Sequence, residues 1–167
     1  MLSINDTLKV YQQLLQETDI QKAYKEVLAF IRKVQVYIKN TYPEFEVSKN
    51  LYEGYLDLSF FTFTTKKLKS KDFKIVIVFL HKEMKFEGWL SAKTKSTIAN
   101  YNEKFSQYDI SKYSLSSSNK KSIAILETTL VQFPNFDNNE ELLSQIETNI
   151  IRFISDVEYF LTENNII

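Results

Sequence analysis

No cysteine occurs in the chain, and glycine is nearly missing, with two in 167 residues. The first absence excludes disulfide scaffolds, thiol catalysis, zinc fingers and iron–sulfur clusters. The second removes phosphate-cradling loops, which need glycine where the backbone turns sharply and approaches an anion. No G-x-G-x-x-G, G-x-x-x-x-G-K-[ST] or G-x-S-x-G pattern is present. Rossmann cofactor enzymes, P-loop NTPases, protein kinases and the usual serine hydrolases are therefore without a motif, and no cofactor is implied. Arginine is scarce too, since every basic residue except Arg32 and Arg152 is lysine. Arginine is the preferred tool for bidentate phosphate and guanine recognition, so its scarcity counts against nucleic acid as a partner. The 21 basic and 21 acidic residues cancel, and no overall field draws the chain to nucleic acid or to a membrane. The longest apolar run, Ile75 to Leu80, falls far short of the ~20 residues a membrane helix needs. The opening residues show no basic region followed by an apolar run, so a signal peptide is not expected and a cytoplasmic location is.

Aromatic residues are what the chain does have, with 13 Phe and ten Tyr. A chain of this length buries ~70% of the surface its unfolded form exposes, enough for a core without staples. Residues 6–16 read as a short helix capped by Asp6, with Leu8, Tyr11, Leu14 and Leu15 on one face. A long helix follows from Ile20 to about Tyr42, where Pro43 disfavours its continuation. Leu51 to Thr65 alternates as a strand, and Phe73 to His81 and Lys85 to Ala92 make a hairpin around Lys82–Met84. Both glycines, Gly54 and Gly88, fall inside these strands. A helix around Ile98 to Tyr108 leads to a serine- and lysine-rich loop over 111–121 and a strand from Ile123 to Val131. A last long helix runs through Leu142, Ile146, Phe153 and Phe160, capped by Asp137 or Asn138. The expected architecture is one α+β domain over 1–167, in α-α-β-β-β-α-β-α order. It has a four-stranded, largely antiparallel sheet with the long N- and C-terminal helices packed on it.

The hairpin carries the candidate chemistry. A three-residue turn at Lys82–Met84 sets His81 opposite Lys85, Phe79 opposite Glu87 and Ile77 opposite Trp89. Glu87 then shares a sheet face with His81 and Trp89, the single His and single Trp of the chain. A carboxylate among apolar neighbours is either paired or shifted upward in pKa, and such groups concentrate at functional sites. Tyr55 and Asp57, on the polar face of the preceding strand, join Glu87 if the pleats match. Two carboxylates within reach of one another can hold a divalent metal or divide acid and base roles. Tyr55, Asp57, His81, Glu87 and Trp89 are accordingly the candidate ligand-binding face, aromatic for stacking and acidic for orientation. No catalytic residue is assigned, and the identity of any metal is left open. The lysines at 66, 67, 69, 71 and 74 form a basic stretch that reads as a solvated loop. Partners are not named by the residues, although paired aromatic-rich helices leave a homo-oligomer open.

The stretches Asp19–Tyr24, Leu51–Asp57, Phe79–Glu83 and Phe86–Ser91, with Lys93 just beyond the last, carry a resemblance that runs nearly end to end. By them the chain resembles an uncharacterised family of bacterial proteins of unknown function, which implies an architecture but no activity. A second resemblance lies in topology, from about Asp19 to Val131. Helix, three antiparallel strands, helix and fourth strand is similar to the core of the PD-(D/E)xK nucleases. It rests on Asp72-Phe73 before the second strand and Glu87-Gly88-Trp89 on the third, with Trp89 where that family has lysine. It implies a metal-dependent phosphodiesterase using Asp72 or Asp57 with Glu87, helped by Lys85 or Lys93, or an inactive relative. The main reading is a small, non-catalytic binding or interaction protein.

Overall fold

The computed structural model describes residues 3–110, 112–116 and 123–167. Its first helix, α1 (Ile4–Glu17), starts two residues earlier than the periodicity suggests. Ser3 is the cap, its hydroxyl accepting the Asp6 N–H, so the capping residue is Ser3 and not Asp6. The second, α2 (Ile20–Thr41), buries Phe30, Ile31, Val34 and Ile38 along one stripe and ends at Tyr42, just before Pro43. The proline disfavours helical geometry at the residue ahead of it, which sets this end.

Among the described residues six strands form the sheet, and the expectation of four is corrected. They are β1 (Glu46–Val47), β2 (Leu58–Thr64), β3 (Phe73–Leu80), β4 (Lys85–Ala92), β5 (Ser114–Leu115) and β6 (Leu126–Val131). They lie in the order β1-β2-β3-β4-β6-β5 with every pairing antiparallel. β1 and β5 are two residues each and guard the edges; strands so short carry no alternation that a sequence pattern can show. β5 falls within the serine- and lysine-rich loop expected over 111–121, of which Ser111 and residues 117–121 lie outside the described residues. Two helices stand between strands, α3 (Lys66–Lys69) and α4 (Lys95–Phe105), and α5 (Asn139–Glu163) closes the fold. The α+β class holds.

β2 is half the length expected, because residues 51–57 are not extended: Gly54 and Leu56 have φ of 71° and 62°. The left-handed backbone there breaks the ladder apart from one bridge between Tyr52 and Phe60. Gly54 therefore belongs to a loop, and Gly88 alone of the two glycines is in a strand. A Cβ on Gly54 would sit 2.0 Å from the Leu58 carbonyl oxygen, so no other residue fits that turn.

The core lies between one face of the sheet and the helices. Phe61, Phe63, Ile75, Ile77, Phe79, Phe86 and Leu90 meet α2 and α5 there, joined by Ile98 and Phe105 of α4. Tyr37 of α2 and Tyr42 at its C-terminal cap both donate to the Glu147 carboxylate of α5, at 2.9 and 2.8 Å, tying the two long helices together. On the opposite face Val76, Val78, Leu80, Trp89 and Ala124 form a smaller buried cluster. α1 differs from the other long helices, since none of its residues is buried.

The hairpin register departs from the expected one by a single residue. Leu80 pairs with Lys85 and Val78 with Glu87, around a four-residue turn at His81–Met84 in which Met84 has φ 49°. Because side chains alternate with period two, that one-residue change exchanges faces. Phe86, Leu90 and Ala92 share the helix-covered side with Ile75, Ile77 and Phe79. Glu87 and Trp89 share the other side with Val76 and Val78.

Candidate functional site

The same register separates the five residues singled out from the sequence into two groups. Glu87 and Trp89 lie on the sheet face away from the helices, at 3% and 1% exposure. One Glu87 oxygen accepts the Lys85 ammonium at 2.7 Å and the other accepts the Trp89 indole N–H at 2.7 Å. Lys85, Glu87 and Trp89 are alternate residues of β4, so one strand face brings these three groups together. Each carboxylate oxygen has a donor inside the protein, as a buried charge requires.

His81 continues the alternation of β3 onto the helix side. Its ring stands 5.5 Å from Tyr24 of α2 and meets the edge of Phe79 at 4.9 Å. Burial pushes the imidazole below its ordinary pKa, against the pull of the Asp57 charge. Nε2 lies 2.8 Å from the hydroxyl of buried Ser59, a diagonal neighbour in β2 whose register partner is Phe79. Ser59 donates its own hydrogen to the Glu53 carbonyl at 2.5 Å, and Tyr24 donates to the same oxygen at 2.8 Å. With the serine hydrogen so committed, His81 must supply the hydrogen between them, and Nε2 is the protonated nitrogen. The pair is therefore not arranged as nucleophile and base, which would need the serine hydrogen on the imidazole side. It anchors the loop above it.

That loop, residues 53–57, is shaped by Asp57. Its Oδ1 accepts the Tyr55 N–H at 2.8 Å, and its carbonyl accepts the His81 N–H at 3.0 Å. The Tyr55 N–H, followed by that of Leu58, holds the Asp57 carboxyl below its usual range. Left-handed geometry at Gly54 and Leu56 brackets Tyr55 and turns it outward to 92% exposure. For Leu56 that conformation costs ~1–2 kcal/mol, and strain of this kind collects where a surface has work to do. Tyr55, Asp57 and His81 are thus brought together, while Glu87 and Trp89 stand on the far side of the sheet.

Beside Tyr55 the loop, α1 and the start of α2 enclose a groove of about 400 Å³. Tyr11, Leu14 and Leu15 of α1, Ile20 and Tyr24 of α2 and Leu56 of the loop line it. The volume falls in the range of small-ligand sites, which are mostly apolar with few polar groups. Sequence reasoning missed this surface because it placed the candidate site on the strand faces, and an apolar face such as that of Tyr11, Leu14 and Leu15 reads alike whether buried or open. The available signal was Gly54 followed by Asp57, the spacing of a turn closed by an aspartate side chain.

The nuclease arrangement is not realised. Asp72 precedes Phe73, which pairs with Ala92, whereas Glu87 pairs with Val78. At ~3.3 Å per residue the two carboxylates lie on the order of 20 Å apart along the hairpin. Among the described residues no group of three or more His, Asp or Glu could hold a metal ion. Two lysines of the basic stretch are ion-paired, Lys69 with Glu46 at 2.6 Å and Lys67 with Glu158 at 3.7 Å.

The family described as domain of unknown function DUF7000 matches residues 4–161. The chain belongs to that family. No curated protein and no solved structure matches it. The DUF7000 assignment agrees with the resemblance seen in the sequence and assigns no activity. Its match takes in α1, the 53–57 loop and nearly all of α5, so the groove and most of the core lie within the family region. No helix among the described residues is long and apolar enough to cross a membrane.

Proposed function

We propose that the protein is a small, single-domain, non-catalytic binding module of the cytoplasm, and that its binding surface is the groove between α1, α2 and the 53–57 loop. The observation that carries this reading is the combination of apolar walls with a loop built at the cost of strain. Tyr55 and Leu56 are held outward by Asp57, Tyr24 and the Ser59–His81 bond instead of folding onto the core. An aromatic anchor displayed on a fixed backbone loses little entropy on binding. The groove offers stacking and apolar contact from its tyrosines and leucines, and Gln21 adds a polar side chain to the lining. Of the residues singled out from sequence, Tyr55 supplies contact, while Asp57 and His81 support the loop. Glu87 and Trp89 play a structural part in this reading.

The test uses an apolar fluorescent probe, anilinonaphthalene sulfonate, titrated against ~1 µM folded protein. Saturable binding is expected, and Leu14→Gln or Tyr55→Ala should weaken it about tenfold with the far-ultraviolet circular dichroism unchanged. Probe binding that ignores both substitutions, or no binding by the folded protein, would sink the proposal.

A further inference from the structure

α1 poses a physical problem. It is 14 residues long and strongly two-sided, yet none of it is buried. Ile4 is 71% exposed, Leu8 52% and Tyr11 57%, while Leu15 is half-buried at the groove. Ile4, Leu8, Tyr11 and Leu15 follow one another at intervals of four, three and four, which is the spacing of a two-heptad coiled-coil seam. With Ile4 and Tyr11 at d and Leu8 and Leu15 at a, the flanking e and g positions are Asn5, Thr7, Gln12 and Leu14. All four are uncharged. The charges of the helix, Asp6, Lys9 and Glu17, occupy f, b and c on the outer side. An identical helix can therefore approach the seam without meeting a like charge, a condition that homotypic pairing requires.

A membrane surface fits less well. Interfacial helices carry a strongly basic polar face, and α1 has one lysine against two acidic residues.

We infer that α1 is a self-association element, pairing antiparallel with α1 of a second copy across a two-fold axis. The inference rests on the reading of the groove as a binding surface and names its occupant. Antiparallel packing sets a against d, so Leu8 meets Tyr11 of the partner subunit and Ile4 meets Leu15 of the partner subunit. Leu15 lines the groove together with Ile20, Tyr24 and Leu56. Ile4 of each protomer thereby enters the groove of the other, which accounts for its exposure in the monomer. Both ends of the contact are equivalent, as an isologous interface demands. Two heptads with Tyr55 and Leu56 beside them offer less than the ~800 Å² per partner of a standard interface. The dimer accordingly forms at high protein concentration and not at nanomolar levels.

Sedimentation velocity on the full chain tests this. The wild type should move from monomer toward dimer between roughly 10 µM and 1 mM, the range suited to a small interface. Leu8→Glu and Tyr11→Lys should each remain monomeric, since each buries a charge in the seam. An equimolar mixture of the two should dimerise again, because Glu at 8 then faces Lys at 11. Both sites are exposed, and unchanged circular dichroism shows that the fold is intact. A wild type monomeric at ~1 mM, or a Leu8→Glu variant that still dimerises, overturns the inference; a mixture that fails to recover overturns the antiparallel register. Leu8 does not line the groove, so probe binding by Leu8→Glu reports on the groove separately. A monomeric wild type that binds the probe ends the self-association alone, whereas loss of probe binding ends the underlying reading as well.

Discussion

Removing the Glu87 carboxylate should cost the fold about 2–4 kcal/mol, shared between the two donors it leaves behind. In Glu87→Ala the Trp89 indole N–H, on a side chain 1% exposed, loses its acceptor. A buried donor left unsatisfied costs ~1–3 kcal/mol. The Lys85 ammonium loses its partner as well, but its side chain is 20% exposed and can reach toward water, which limits that loss to about 1 kcal/mol. Glu87→Gln keeps an acceptor for the indole and should cost about half as much. Lys85→Met is expected to be the worst single change, at ~3–5 kcal/mol, because it strands a buried carboxylate without its cation. The double variant Lys85→Met/Glu87→Gln should recover ~2 kcal/mol relative to the sum of the singles. Urea unfolding measures all four, and in a thermal melt, at ~2–4 °C per kcal/mol for a chain of this size, the Glu87→Ala Tm should fall by about 10 °C. Losses under ~1 kcal/mol in both Glu87→Ala and Lys85→Met would refute the structural account and return Glu87 to the candidates for ligand contact.

The remaining predictions concern the loop, the histidine and the helix pair. Gly54→Ala places a Cβ against the Leu58 carbonyl in a left-handed backbone; it should cost ~2–4 kcal/mol and abolish probe binding, read by urea unfolding and fluorescence. His81 has a folded-state pKa below its ordinary 6.5, so its contribution is fully present above 6.5 and is lost as the pH falls through the lower folded value. Urea midpoints between pH 7.5 and 4.5 should therefore decline, and His81→Gln should flatten that limb. Tyr42 is pushed up to about 12, chiefly by burial and then by its bond to Glu147. Its contribution is present below the unfolded value near 10 and lost as the pH rises through about 12. Tyr42→Phe should remove part of this alkaline loss, measured as the unfolding midpoint from pH 9 upward.

Much of the fold was legible because it rests on local rules. The period of Phe30, Ile31, Val34 and Ile38 and the stop before Pro43 define α2. Asn138 with Glu140 and Glu141 behind it marks the start of α5, and the span of β4 matches its alternation residue for residue. What was misread depended on partners distant in the chain. β1 and β5 exist because β2 and β6 offer them an edge to pair with. The stretch 51–57 alternates like a strand, yet Asp57 and Gly54 close it into a turn that Tyr24, 29 residues upstream of Glu53, holds in place. α1 has the periodicity of a core helix and lies outside the core, which no local pattern distinguishes.

Composition alone excluded thiol, zinc-finger and phosphate-loop chemistry, since those sites need residues that are missing or nearly so. Local pattern determined the long helices and the central strands, because capping and periodicity act within a few residues. The placement of the candidate residues was decided only by tertiary structure. Whether Leu80 or His81 pairs with Lys85 depends on which faces of β3 and β4 the helices cover, a global packing outcome. That one-residue choice buries Glu87 beside Lys85 and Trp89 and delivers His81 to Ser59 beneath the groove, on opposite sides of one sheet.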